Sequence, residues 1–149
     1  MTIYLDCDGT WIDLYGVDNW LDYLLAENVY PYANAKPLVN LSLLARTIHE
    51  LQRKGVKVGV ISWLSKGGSE AYNAAVDITK RKWFKRHIPS VTFDEVHIVK
   101  YGTPKSSCAT QANAILFDDE EKNRAEWKGK AFDEKDLIKN LRAILSALD

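Results

Sequence analysis

Five short segments of the chain carry the residue pattern of β-strands, and they alternate with longer segments of helical pattern. The strand segments are rich in apolar and β-branched residues and are too short for helices. They cover residues 3–5, 56–61, 95–99, 114–117 and 130–132. Because strands alternate with helices, we predict an α/β fold, a three-layer, Rossmann-like, mostly parallel sheet with helices on both faces.

Apolar residues recur at helical spacing in the segments between the strands. We predict helices over residues 19–27, 39–54, 70–87 and 120–127, and a last helix that starts near residue 133. Asp18 and Ser69 are the expected N-caps of the first and third helices, because their side chains can accept hydrogen bonds from free backbone N–H groups. Pro31 and Pro37 predict a loop between the first two helices.

The third predicted helix carries a basic cluster. Its members are Lys80, Arg81, Lys82, Lys85 and Arg86. Tyr72, Thr79 and Trp83, together with Ala75 or Val76, are spaced as the inner face of this helix. We therefore expect the basic cluster to lie on the outer face, in contact with solvent, and we do not interpret it as a nucleic-acid site.

The connection between the first strand and its core helix is long. It has about thirty residues, whereas such loops usually have only a handful. We interpret residues 11–40 as a small cap insertion that lies over the strand tips. The chain has no repeat and no linker-like segment, so we expect residues 1–149 to form a single domain.

Composition narrows the class of protein. The chain has 20 basic and 20 acidic residues, and this balance disfavours wholesale binding to nucleic acid or to anionic membranes. Two cysteines, and a beginning that does not read as a signal peptide, predict a reducing compartment. No apolar run approaches membrane-spanning length. We therefore expect a cytoplasmic protein.

Two carboxylates follow the first strand directly. Because side chains alternate along extended backbone, Asp6 and Asp8 point to the same side, whereas Cys7 points to the opposite side and packs against other side chains. Two carboxylates at one strand tip repel each other unless a cation lies between them or one holds a proton. Gly9 then allows a sharp turn out of the sheet. Ligands of open α/β sheets bind at the carboxyl ends of strands, so we predict a ligand site here.

Polar residues follow the other strands as well. Ser62 follows the second strand, Lys105 or Lys100 follows the third, and Asp118 and Asp119 follow the fourth. Carboxylates suit Mg²⁺, and hydroxyl and ammonium groups suit phosphate oxygens. The set predicts a site for Mg²⁺ and a phosphate group. One carboxylate there could attack phosphorus while a second moves the proton.

These strand-end residues resemble the four motifs of the haloacid dehalogenase superfamily of phosphohydrolases. The motifs are Asp6-Cys7-Asp8-Gly9-Thr10, Ser62, Lys105 and Asp118-Asp119. The resemblance implies that Asp6 is the nucleophile and Asp8 the general acid and base. Dehalogenases of the superfamily lack an acid at the second position and its ion-pumping ATPases have Thr there, so Asp8 favours phosphate-ester chemistry.

The same resemblance implies a ligand set. Asp6, the backbone carbonyl of Asp8 and Asp118 would hold Mg²⁺. Asp119 would be a further ligand, a neighbour of the ligands, or only the cap of the helix that follows. By the same resemblance, the hydroxyl and ammonium groups that follow the second and third strands would bind the phosphoryl group.

A narrower similarity points to the 5′-nucleotidase branch of the superfamily, whose members release phosphate from nucleoside monophosphates. Residues 82–89 and 117–123 carry this similarity. The insertion here is shorter than the helical cap of that branch, and the lysine motif is displaced. Lys100 therefore stays a rival of Lys105 for the phosphate-binding role.

The sequence as a whole predicts a Mg²⁺-dependent phosphomonoester hydrolase that works through an aspartyl-phosphate. The expected substrate is nucleotide-like or another small phosphorylated metabolite. One alternative is a polynucleotide-end phosphatase or a phosphotransferase on the same scaffold, and another is a non-catalytic phosphate-binding or regulatory protein. We expect no membrane partner, and a second subunit of a homo-oligomer could close the open site.

Overall fold

The computed structural model describes residues 1–149 and contains two sheets. Its strands are β1 (Thr2–Leu5), β2 (Ile12–Asp13), β3 (Lys36–Pro37), β4 (Lys57–Trp63), β5 (Glu95–Val99), β6 (Ile115–Phe117) and β7 (Ala131–Phe132). The main sheet has the order β5-β4-β1-β6-β7, and all neighbouring strands in it are parallel. β2 and β3 form a separate antiparallel pair. The predicted α/β fold class is thus confirmed.

Helices connect these strands. They are α1 (Trp20–Leu25), α2 (Tyr30–Asn34), α3 (Leu41–Arg53), α4 (Glu70–His87), α5 (Glu121–Glu126) and α6 (Leu137–Ala147), with 3₁₀ helices at Leu14–Gly16 and Lys105–Cys108. The sequence did not predict α2, because Pro31 indicated a loop. Proline is tolerated in the first turn of a helix, where its missing N–H has no partner to lose. None of the helices combines the length and the apolar character needed to cross a membrane.

The residue before each of three helices decides where that helix starts. Ser69 caps α4 as predicted, since its hydroxyl accepts the backbone N–H of Tyr72 at 3.1 Å. The prediction of Asp18 as the cap of α1 is wrong, because Asn19 adopts a left-handed conformation (φ 61°) and α1 begins after it. The last helix begins later than predicted for a similar reason. Asp136 is left-handed (φ 53°), so α6 starts at Leu137.

The two faces of the main sheet are covered unequally. On one face, Ile3 and Leu5 of β1 belong to a large core that includes residues of the three longest helices, α3, α4 and α6. On the other face, Tyr4 and Leu116 belong to a small core completed by Trp127, which follows α5. The predicted three layers are present, but most of the helical mass lies on one face.

Residues 11–40, the predicted cap insertion, contain β2, α1, α2 and β3. The segment is tied to the start of α4. The carboxylate of Glu27 accepts the backbone N–H and the hydroxyl of Ser69 at 2.9 and 2.7 Å, and the Tyr72 hydroxyl donates to the carbonyl of Asn28 at 3.0 Å. Trp11, at the start of the segment, belongs instead to the large core and is fully buried.

Candidate active site

Three carboxylates gather where β1 and β6 end side by side. These strands are parallel neighbours, and the backbone N–H of Asp6 donates to the carbonyl of Phe117 at 2.9 Å. Carboxylate oxygens of Asp6, Asp118 and Asp119 lie within 4.8 Å of one another. Residues far apart in the sequence therefore meet at one sheet edge. We call these three residues the carboxylate cluster.

A buried ammonium group links two members of the carboxylate cluster. The Nζ atom of Lys105 lies 2.7 Å from Oδ1 of Asp6 and 2.7 Å from Oδ2 of Asp118. Lys105 is only 2% exposed. Lys100, the rival lysine, is an exposed residue directly after β5. The structure thus places Lys105 at the carboxylate cluster and leaves Lys100 at the surface.

The charges around Lys105 shift the protonation of the cluster. Burial opposes ionisation of Asp6, but the Lys105 ammonium and several hydrogen bonds outweigh it and lower the pKa of Asp6. Burial and the negative charge of Asp6 raise the pKa of Asp119 to about 8. Asp6 is therefore ionised at neutral pH, whereas Asp119 is mostly protonated there, and added positive charge would favour its ionisation.

The turn after β1 fixes the position of Asp6 relative to Asp119. The Thr10 hydroxyl donates to Oδ2 of Asp6 at 2.8 Å and accepts the backbone N–H of Asp119 at 3.2 Å. Gly9 has a φ of +83°, and a Cβ atom there would lie 2.3 Å from Oδ2 of Asp119. Only glycine fits this combination of backbone angle and close approach.

Asp118 is held by the start of α5. The backbone N–H of Glu120 donates to its Oδ1 at 2.9 Å, and Nδ2 of Asn123 donates to its Oδ2 at 3.1 Å. A guanidinium nitrogen of Arg124 donates to its backbone carbonyl at 3.0 Å. The sequence analysis gave no role to Asn123, whose only signal is its place in the first turn after the acid pair.

Asp8 belongs to a second charged group, which is centred on the buried residue Lys80. The Nζ atom of Lys80 donates to Oδ2 of Asp8 at 2.7 Å, to Oγ of Ser62 at 2.6 Å and to the carbonyl of Trp63 at 2.9 Å. Lys80 is 4% exposed, and its ammonium lies 5.2 Å from the ring centroid of Tyr32. The site thus has two buried ion-paired lysines, of which the sequence analysis identified one.

The prediction that Lys80 lies on the outer face of its helix is wrong. It follows Tyr72 and Val76 at intervals of four and precedes Phe84 by four, and all of these residues are buried. Helical spacing therefore places it on the inner face. The sequence-based interpretation grouped it with its basic neighbours by residue type. A lysine in register with an apolar face was the signal that could have identified it.

Ser62 and Asp8 differ in their access to the site. Ser62 is fully buried and does not line the cavity at the strand ends, whereas Asp8 does. Ser65, three positions further along, also lines this cavity. Burial raises the pKa of Asp8 even though Lys80 opposes that shift. A carboxyl group with a raised pKa beside a cavity suits proton transfer.

A cavity of about 440 Å³ opens over the two charged groups. Its floor includes the carboxylate cluster, Asp8 and Lys105, and its walls come from the insertion and from the loops after β4 and β5. This volume falls within the range of small-molecule sites in proteins. The cavity therefore lies directly over the carboxylates and has room for a small molecule.

The carboxylate cluster fits a divalent metal ion. All of its side-chain donors are oxygens, the donors that Mg²⁺ prefers. Lys105 supplies one positive charge for three carboxylates. Burial, and after it the negative charge of Asp6, raises the pKa of Asp119. The carboxylate of Asp8 is not in the cluster and is paired with Lys80.

Comparison with known proteins supports the fold. No family model matches the chain, and no curated protein matches it in sequence. Among solved structures, the chain is similar to the D,D-heptose 1,7-bisphosphate phosphatase from Burkholderia thailandensis. The TM-score is 0.57 with 14% identity, over 97% of this chain and 98% of that chain. The likeness gives no support to the 5′-nucleotidase branch in particular. The chain thus has the Rossmann-like α/β fold of that phosphatase along nearly its whole length.

Proposed function

We propose that this protein is a Mg²⁺-dependent phosphomonoester hydrolase of the haloacid dehalogenase superfamily. The observation that carries the proposal is the pairing of two different carboxyl groups at one cavity. Asp6 is ionised by its contact with Lys105, and Asp8 has a raised pKa. A nucleophile and a proton donor with separated pKa values are what two-step acid–base chemistry needs.

In the first step, a carboxylate oxygen of Asp6 attacks phosphorus and forms an aspartyl-phosphate. The bond between phosphorus and the leaving oxygen breaks, and Asp8 donates its proton to that oxygen, which leaves as an alcohol. In the second step, Asp8 takes a proton from a water molecule, and the water oxygen attacks phosphorus. The acyl-phosphate bond breaks, which releases phosphate and restores Asp6.

The residues around these two acids have supporting roles in this proposal. Lys105 contacts both Asp6 and the phosphoryl group. Ser62 is fully buried and does not line the cavity, so the phosphate-binding role that the sequence assigned to it is not part of this proposal. Lys80 holds both Ser62 and Asp8 in place. Asp6, Asp118 and Asp119, with the backbone carbonyl of Asp8, would hold Mg²⁺. Bound there, the ion would compensate the negative charge of the phosphate and the carboxylates.

The expected substrate class is a small phosphorylated metabolite, with nucleoside monophosphates as the finer candidate. The cavity volume favours a small molecule. Lys66 and Lys105 are the only basic residues that line the cavity, so the site does not offer the basic groove that a polynucleotide backbone needs. This charge pattern weakens the alternative of a polynucleotide-end phosphatase.

The test is the release of phosphate from a panel of phosphomonoesters with Mg²⁺ present. We expect turnover by the wild-type protein, loss of turnover with a chelator, and recovery when Mg²⁺ is restored. Asp6→Asn should reduce turnover at least about a thousandfold because an amide is a poor nucleophile. Its circular dichroism spectrum should match that of the wild-type protein.

Asp13→Asn is the matched control. Asp13 follows the same turn but does not line the cavity over the strand ends, so its variant should retain wild-type turnover. Full activity of Asp6→Asn would exclude Asp6 as the nucleophile. If no ester of the panel is hydrolysed at any pH, the result favours the alternative of a non-catalytic phosphate-binding or regulatory protein.

A further inference from the structure

An apolar surface borders the charged floor of the cavity. We call it the apolar wall, and it consists of Leu14, Tyr15, Trp20, Leu21, Leu24 and Leu25. Tyr15 is 46% exposed, Leu21 51% and Leu25 74%, although each lines the cavity. Soluble proteins rarely group large apolar side chains at the surface without a binding partner.

The composition of α1 shows that this exposure is a property of the whole helix. α1 contains no buried residue, although five of its six residues are Trp, Leu or Tyr, which normally fill cores. The ring of Tyr15 meets the ring of Trp20 edge-on, with centroids 4.9 Å apart. The wall is therefore ordered by its own contacts while one side faces the cavity.

Aromatic side chains also enter the cavity from the sheet. Trp63, at the end of β4, and Tyr101, after β5, have ring centroids 4.8 Å apart, and both line the cavity. The cavity is thus bordered by apolar side chains from the insertion and from the sheet. A ligand anchored at the carboxylates would place its remaining atoms against them.

The charges in the cavity restrict what those atoms can be. Besides Lys105, which already contacts Asp6 and Asp118, the only cation that lines the cavity is Lys66. The lining acids also include Glu120, next to the carboxylate cluster. A second phosphate or a carboxylate on the ligand would therefore meet one surface lysine and several like charges. The cavity favours a ligand with a single anionic group.

We propose that the apolar wall binds the leaving group of the substrate and selects monophosphates of uncharged alcohols with an aromatic or aliphatic body. This inference rests on the proposed function, because the phosphate anchors the ligand at Asp6 and Lys105. It separates this protein from a phosphatase for bisphosphates, whose substrates carry a second anion. Selectivity arises because an apolar group that covers the wall removes both apolar surfaces from water, whereas a polar group there would lose its own hydration without a partner.

The test compares esters whose leaving alcohols have similar reactivity but different shape and charge. The probes are propyl phosphate, 3-phenylpropyl phosphate, glycerol 3-phosphate and 1,3-propanediol bisphosphate. We expect kcat/KM for 3-phenylpropyl phosphate to exceed that for propyl phosphate at least about tenfold, since a phenyl group buries enough apolar surface for this. The glycerol ester and the bisphosphate should be poorer substrates than propyl phosphate.

Leu21→Ser and Leu25→Ser should each reduce this preference, and both side chains are exposed enough to be replaced without disturbing a core. Ile78→Ser is the matched control, because Ile78 is 55% exposed on α4 and does not line the cavity. It should leave the preference unchanged. Sedimentation of each variant shows whether the apolar wall is instead an interface with a second copy of the chain. A change of mass without a change of preference would overturn the proposal.

A binding measurement separates failure of this inference from failure of the proposed function. With Mg²⁺ present, calorimetry compares 3-phenylpropylphosphonate with propylphosphonate, neither of which can be hydrolysed at its P–C bond. If the phenyl compound binds more tightly and Leu25→Ser removes this difference, the result supports binding of the leaving group by the apolar wall, even if no ester is hydrolysed. Equal affinity, or equal kcat/KM across the esters, overturns it while the hydrolase proposal stands.

Discussion

Lys80 is a buried cation on which three oxygen atoms of the site converge. It donates to Asp8, to Ser62 and to the carbonyl of Trp63, and it is 4% exposed. A buried ammonium and a buried carboxylate are each unfavourable unless the other is present. The position of Asp8 therefore depends on one residue of α4.

Lys80→Met should lower the free energy of unfolding by roughly 2–4 kcal/mol, because Asp8 and Ser62 lose their shared donor. Urea unfolding followed by tryptophan fluorescence measures the change. Lys82→Met is the control, since Lys82 is exposed on the same helix, and it should change stability by less than about 0.5 kcal/mol. Equal stability of the two variants would mean that Lys80 does not hold Asp8.

Gly9 and Gly102 have nearly the same backbone angle in different surroundings. Their φ values are +83° and +87°, but a Cβ at Gly9 would lie 2.3 Å from Oδ2 of Asp119, whereas one at Gly102 would meet nothing within 4 Å. Gly9→Ala and Gly102→Ala should both lose about 1–2 kcal/mol from backbone strain. Only Gly9→Ala should also lose Mg²⁺ binding, because Asp119 must move.

Isothermal titration of the two alanine variants with Mg²⁺ checks this prediction. We expect the affinity of Gly102→Ala to match the wild-type protein and that of Gly9→Ala to fall at least about tenfold, the size of effect that displaced ligand oxygens produce. Unchanged affinity in Gly9→Ala would show that Asp119 is not a ligand.

At the scale of secondary-structure elements, a polar network joins β1 to β5 on the thinly covered face of the sheet. The hydroxyl of Tyr4 and a ring nitrogen of His97 each lie 2.8 Å from Oε1 of Glu95. The Thr110 hydroxyl donates to Oε2 of Glu95 at 2.8 Å. Burial would raise the pKa of Glu95, but these hydrogen bonds outweigh it and lower the pKa below its ordinary value of 4.5.

A lowered pKa makes the network a source of stability that depends on pH. The contribution of Glu95 is present above pH 4.5, where the unfolded chain is also ionised, and it is lost as the pH falls through the lower folded pKa. Glu95→Gln should therefore melt below the wild-type protein at pH 7, and the difference should shrink toward pH 3. Melting curves across this range measure it, and a difference that grows in acid would contradict the assignment.

The elements that the sequence predicted best are those that local chemistry specifies. β5 (Glu95–Val99) and α4 (Glu70–His87) have the predicted bounds, because an apolar run and a serine cap decide them locally. The carboxylate cluster followed from the rule that parallel strands end at one edge. The role of Lys80 was missed, because a charged side chain becomes buried only when a partner from another element meets it.

At the scale of the whole molecule, the chain folds against repulsion between three carboxylates that only Lys105 partly compensates. Burial and Asp6 raise the pKa of Asp119 to about 8, so its favourable protonation is lost as the pH rises through that value. The metal-free protein should therefore lose stability as the pH rises from 3.8, the ordinary pKa of the group, to about 8, and the loss should be complete above that pH. A cation bound at the cluster reverses this loss.

Mg²⁺ should raise the melting temperature at pH 8.5, by an amount equivalent to about 2.7 kcal/mol at one hundred times its dissociation constant. The stability of Asp119→Asn should depend less on Mg²⁺ than that of the wild-type protein. Without metal at pH 8.5 the variant should be at least as stable as the wild-type protein, and with Mg²⁺ it should gain less. Differential scanning calorimetry of both proteins, with chelator and with Mg²⁺, measures the two shifts. A larger Mg²⁺ gain in Asp119→Asn would contradict the proposed ligand set.

The place of β1 in the middle of the sheet, between β4 and β6, has a consequence for biosynthesis. The ribosome makes β1 first, yet its second edge stays bare until residues 115–117 have emerged from the exit tunnel. Asp6 meets Asp118 only after the chain has been translated beyond residue 118. Nascent chains arrested before that point should be prone to aggregation, sensitive to proteases and unable to release phosphate from an ester. They should gain this activity once β6 and the residues that follow it are added.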